Sequence, residues 1–150
     1  MPFSTKFKTG FLAVLLLSLG GLTGWGLVHD GRSAALEAAV PLLELKKNPF
    51  ILRETWWDGM LKEKEQKLIE HQLFKRNEYW FWVGCSQSGA KVNIHIYDQN
   101  GNLVEDEAWE KGNVAAARVI PEASGTYYVR VFLESSDELP AEWAVIYAYR

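Results

Sequence analysis

The chain has 150 residues, 48% of them hydrophobic and 13% aromatic, with a formal net charge of -3. That length allows one domain of ordinary size, the 23% charged fraction argues against wholesale disorder, and the weak negative charge excludes the basic face of a nucleic-acid binder. A single cysteine excludes an intrachain disulfide framework and a zinc site built on several thiolates.

Met1 to Thr9 carries Lys6 and Lys8 and no acid, and Gly10 to Val28 carries no charge at all. Residues 1–28 therefore read as a secretory signal peptide or a membrane anchor. Nineteen helical residues reach about 28 Å, roughly one hydrocarbon core. Against that, the strongly apolar run Phe11–Leu19 stops at Gly20-Gly21, and Gly24-Trp25-Gly26 offers signal peptidase a small-x-small site. Both readings leave the N-terminus in the cytoplasm and the rest of the chain outside it, periplasmic or at the cell surface. Without this segment 14 basic residues face 19 acidic ones, so surface charge would not draw the domain to anionic lipid. Only an uncleaved N-terminal helix would hold it at a membrane. Lipidation is excluded, because the sole cysteine is Cys85.

Residues 29–62 read as a helical connector. Arg32–Leu45 is rich in Ala, Leu and Glu, with Pro41 expected to kink or restart the helix and Lys46-Lys47-Asn48-Pro49 closing it. Phe50–Leu61 fits a further short helix with Phe50, Ile51, Trp57, Met60 and Leu61 near one face. The adjacent Trp56 and Trp57 cannot point the same way from a helix, so they are candidates for a partner-binding face as well as for packing.

From about residue 65 the period changes to two, and residues 63–150 read as a β-domain. Glu65–Leu73 suits a helix by charge but alternates at Ile69, His71 and Leu73, which favours a strand. Tyr79–Val83 is too aromatic for a preferred helix. Val92, Ile94 and Ile96 alternate with Asn93, His95 and Tyr97. Asn100-Gly101 predicts a two-residue type I′ turn with a return strand from Leu103. Val114–Ile120, Thr126–Leu133 and Trp143–Tyr149 complete about seven strands, a pattern that indicates an all-β sandwich or barrel rather than βαβ units, with an antiparallel β-sandwich as the expectation.

Asn77-Glu78-Tyr79-Trp80-Phe81, Val92 to Asp98, Asn100-Gly101-Asn102-Leu103-Val104, Asp106, and Ser124-Gly125-Thr126-Tyr127-Tyr128-Val129 follow one another in a familiar order. Over about residues 60–150 the chain resembles the bacterial pre-peptidase C-terminal-like domain. The resemblance implies a small secreted jelly-roll-like β-sandwich. Some members of that family bind calcium through aspartates on the strand that here reads Lys91-Val92-Asn93-Ile94. Those two carboxylates are replaced by Lys91 and Asn93. Asp98, Asn100, Asn102 and Asp106 can still supply oxygens around one hairpin, but ordinary turn chemistry and solvated charge are the favoured explanation. No other cofactor is implied.

Catalytic signals are sparse. His29 borders the apolar segment, and His71 and His95 lie in predicted strands whose separation the sequence does not fix. Cys85 has no cysteine-protease signature around it and reads as a partly buried thiol, or as one that pairs with another chain. No Gly-x-Ser-x-Gly, His-Glu-x-x-His or phosphate-binding glycine loop is present. Glu105, Asp106, Glu107 and Glu110 read as an exposed acidic loop, since general acid–base pairs must face each other across a cleft. Trp109 within it has no obvious core to enter and is a candidate for binding a partner. The resulting expectation is a non-catalytic extracytoplasmic module that binds an envelope protein or extracellular polymer. The alternatives are a small secreted hydrolase and a structural accessory subunit of an envelope complex.

Overall fold

The computed structural model describes residues 30–150; the segment expected to be a signal or anchor lies outside them, as does His29. Asp30 caps helix α1 (Gly31–Leu43), its carboxylate accepting the Ser33 N–H at 2.8 Å. That hydrogen bond, above all, holds the Asp30 carboxyl below its usual range and satisfies one of the helix's free donors. The Glu142 carboxylate accepts the Gly31 N–H at 2.7 Å, a second acid at the positive end of the helix. Pro41 does not restart α1, since the helix runs on to Leu43. The carbonyl its ring leaves without a helical donor belongs to Glu37, on the exposed side.

The expected second helix over Phe50–Leu61 is absent. The segment forms β1 (Ile51–Leu52) and β2 (Trp57–Leu61), both antiparallel to the last strand. Period two explains it better than period 3.6: Trp57 is half-buried and Leu61 buried, while Asp58 and Met60 between them are exposed. Gly59 admits the Trp143 ring, which would sit 3.2 Å from a Cβ there. The separate helical connector therefore does not exist as drawn; α1 packs on the sheet and β1 and β2 extend it.

The remaining strands are β3 (Gln66–Leu73), β4 (Tyr79–Cys85), β5 (Lys91–Asp98), β6 (Glu107–Lys111), β7 (Val114–Val119), β8 (Gly125–Ser135) and β9 (Ala141–Tyr149). The protein is mainly β, in two antiparallel sheets. One has the order β1-β9-β4-β7-β6, with β2 also on β9, and the other β3-β8-β5. Pairings are nested: β2 with β9, β3 with β8, β4 with β7.

One core lies between the sheets, built from Ile69, Phe81, Val83, Ile94, Ile96, Val129, Val131 and Val145. A second lies on the outer face of the larger sheet. There Trp80, Trp82, Ala116, Ile146 and Ala148 pack under Ala35 and Ala39 of α1. Strand β4 is consequently buried at every residue.

The Asn100-Gly101 turn differs from the type I′ expectation. Of its residues only Gly101 has positive φ, at 80°. The Gly101 N–H donates to the Asp98 carbonyl at 3.0 Å, and the Asp98 N–H to the Asn102 carbonyl at 2.9 Å. This is a three-residue loop closed by a left-handed glycine. The Asp98 carboxylate selects it by accepting the N–H groups of Asn100 and Asn102, each at 2.9 Å. The return is a single bridge, Tyr97 to Leu103, not a strand. The chain then crosses to the other sheet and becomes β6.

Candidate functional site

Trp109 lies on a strand rather than in a loop. Strand β6 pairs with β7 so that Trp109 stands opposite Ala116, a residue of the outer cluster. Trp109 therefore shares the outer face with α1. The helix sits over β4 and β9, and only lightly over β7, which leaves a channel along β6. This groove has a volume of about 670 Å³. Its helical wall is Asp30, Ala34, Glu37 and Ala38; its strand wall is Trp109, Lys111 and Val114, with Ser86 and Ser88 at one end. Trp109 is 36% exposed there, and every residue of β6 is exposed, as suits a sheet edge.

The other two candidate tryptophans do not join it. Trp56 is exposed beside the opposite flank of α1, with the Arg32 guanidinium 4.7 Å from its ring. Trp57 turns inward, 5.1 Å from the His71 ring and 5.7 Å from that of Tyr147. His71 also meets Tyr147 edge-on at 4.8 Å, and burial pushes its pKa down, which keeps it neutral. His71 thus belongs to the interior side of its sheet.

His95 lies on the outer face of the same sheet, so the two histidines share no site. Its Nδ1 is 2.6 Å from Glu105 Oε1, and Glu105 Oε2 accepts the Ile96 N–H at 2.8 Å. Glu105 is 8% exposed, not part of a solvated acidic loop. The expected loop is in fact divided. Asp106 accepts the Ile120 N–H at 2.7 Å, Glu107 meets Arg118 Nε at 3.3 Å, and Glu110 stays exposed. A carboxylate-held imidazole presents its second nitrogen in a fixed orientation. Among the described residues its side-chain partner is Glu105.

Of the four oxygens considered for calcium, Asp98, Asn100 and Asp106 line a pocket of about 430 Å³ beside the Ile120–Tyr127 segment. Asn102 instead bonds back to Asp98, Nδ2 to Oδ2 at 3.2 Å. The Asp98 carboxyl lies below its usual range chiefly because of the Asn102 N–H. The same N–H groups fix the turn. Among the described residues no three His, Cys, Asp or Glu side chains gather as a metal group.

No family model matches the chain, and no curated protein matches it.

Cys85 closes β4 on its inner face and is 1% exposed. Burial, and secondarily the Glu142 carboxylate, push its thiol up to about 12 from 9.0. That shift lowers the thiolate population about a thousandfold relative to an ordinary thiol. The folded chain is expected to resist thiol reagents, labelling only as fast as it unfolds. A native-state labelling rate near that of free cysteine would contradict this. Because the unfolded thiol ionises near 9.0 and the folded one does not, stability falls as pH rises past that value.

Proposed function

We propose that the chain is a non-catalytic binding module working outside the cytoplasm, with its ligand in the groove between α1 and β6. The observation that carries the reading is Trp109. A large aromatic from an otherwise acidic segment forms the wall of an open groove beside an unpaired sheet edge. Tryptophan is among the residues enriched as energetic anchors of interfaces, and a free strand edge offers backbone hydrogen bonds to an extended partner. An envelope protein contributing one such segment is the partner that best uses both; a polymer laid across the indole is the other. Export follows from the uncharged Gly10–Val28 run behind two lysines, and a tether only if that run is retained.

The nested strand pairing supports a jelly-roll-type sandwich, the architecture implied by the resemblance to the pre-peptidase C-terminal-like domain. No cofactor forms part of this reading.

The test uses a photo-crosslinking residue at Lys111, inside the groove, in cells with an intact envelope. Wild-type protein is expected to capture a defined envelope component, and Trp109→Ala to lose it. Stability should change by no more than about 0.5 kcal/mol, as for most exposed positions. The same crosslinker at Met60, exposed on the far side, should capture nothing. Capture that survives Trp109→Ala would overturn the proposal.

A further inference from the structure

The outer face of the three-stranded sheet carries an arginine with no acid to meet it. Strand β8 is central in that sheet, and Arg130 sits near its middle with Leu68 of β3 and His95 of β5 as register partners. Its guanidinium carbon lies 6.0 Å from the centre of the Tyr97 ring and 5.5 Å from that of Phe132. Its Nε is buried without a hydrogen-bond partner, and among the described residues the group joins no ion pair. A buried N–H donor left without a partner is costly to keep. The neighbouring acids do not pair with it: Glu105 holds His95 and the Ile96 N–H, Asp98 holds its own turn, and Glu70, on the same outer face opposite Tyr128, is exposed and makes no ion pair with it.

A pocket of about 390 Å³ opens beside this arginine, lined by Gln66, Leu68, Tyr97, Tyr128 and the turn residues Asp98, Gln99 and Gly101, the Asp98 carboxylate being held by the N–H groups of Asn100 and Asn102. Leu68 is 50% exposed there. Among the described residues no helix covers this sheet as α1 covers the other. The combination is a fixed unpaired cation, two tyrosines and an apolar rim, in a volume suited to a small ring.

We propose that this face binds an oxyanion, a carboxylate or phosphate, carried on a ligand with a ring or apolar portion. Arg130 takes the anion, and Tyr97, Tyr128 and Leu68 take the remainder. The site lies on the opposite sheet from the Trp109 groove, so the two readings stand or fall separately.

The test follows the Arg130 Nε–H resonance and the Tyr97 and Tyr128 amides by NMR in the full-length chain. Sodium phosphate, sodium glucuronate and glucose are titrated at matched sodium chloride. A saturable shift with both anions, or with one of them, supports the proposal, and the responding arm names phosphate or carboxylate as the group recognised. Arg130→Gln should weaken that binding at least about tenfold, and Arg130→Lys less. The lysine variant also preserves the charge should the glutamine variant fold poorly. The proposal is overturned if neither anion shifts these resonances beyond the chloride control. It is equally overturned if glucose shifts them as strongly as glucuronate, or if a folded Arg130→Gln binds as tightly as wild type.

Discussion

Trp82→Ala is expected to cost about 3–5 kcal/mol of folding stability, the range for deleting a fully buried large aromatic. Trp82 is 1% exposed, although it points away from the core between the sheets. It stacks on Trp80 with ring centres 5.9 Å apart and planes 18° apart. Ala116 and Ile146 flank it in register on β7 and β9, and Ala35 and Ala39 close it from above. Those small neighbours cannot collapse into the space, so both the lost burial and the cavity term apply. The measurement is urea unfolding followed by circular dichroism, with the slope checked against wild type. A loss below about 1 kcal/mol, as surface positions show, would mean that α1 contributes little to the fold and does no more than connect.

The strands legible in the sequence were those with one buried face. Val92, Ile94 and Ile96 alternate cleanly because polar residues between them face outward, and β8 behaves likewise. Strand β4 was legible for another reason, its aromatic density, since burial on both faces erases alternation. The helical reading of Phe50–Leu61 failed because its apolar spacing fits two periods. Only pairing with β9, distant in sequence, selects the strand. The candidate site was legible at Trp109 as an anomaly of composition, but its groove depends on where α1 lands, which no local pattern states.

The His95–Glu105 pair turned on a single residue of turn geometry. A two-residue Asn100-Gly101 loop would set Ile96 opposite Glu105. The observed three-residue loop continues the Tyr97–Leu103 bridge and brings Glu105 across from His95 instead. One residue of register changes which face every side chain takes. Here it also changes whether a carboxylate is solvated or bound. The Asp98 side chain, by drawing in the Asn100 and Asn102 N–H groups, makes that choice.

Gly84→Ala adds one carbon where Trp82→Ala removes a whole indole ring, and it is expected to be comparably damaging through the opposite mechanism. A Cβ at Gly84 would overlap the Gly31 carbonyl oxygen, approach the Ala35 N to 2.7 Å and the Ala34 Cβ to 3.0 Å. Two of those atoms are backbone, so no side chain can turn aside. The reverse holds at Gly31, whose Cβ would overlap the Gly84 carbonyl oxygen. The two glycines let the first turn of α1 rest directly on β4, and the Asp30 cap and the Gly31–Glu142 bond fix it there. Overpacking of a rigid contact costs about 1–3 kcal/mol or more. Since the strain falls on the helix seat, the expected response is release of α1 with the sheets still paired. Tryptophan emission should shift to the red as Trp80 and Trp82 meet water, while the β signal in circular dichroism persists. Gly125→Ala is the matched control, with nothing within 4 Å of its Cβ and no positive φ, and should stay within about 0.5 kcal/mol of wild type. If Gly84→Ala matched that control in stability and emission, the close seating of α1 on β4 would be wrong. The groove would then lose its helical wall, because Asp30, Ala34, Glu37 and Ala38 stand opposite Trp109 only while the helix stays down.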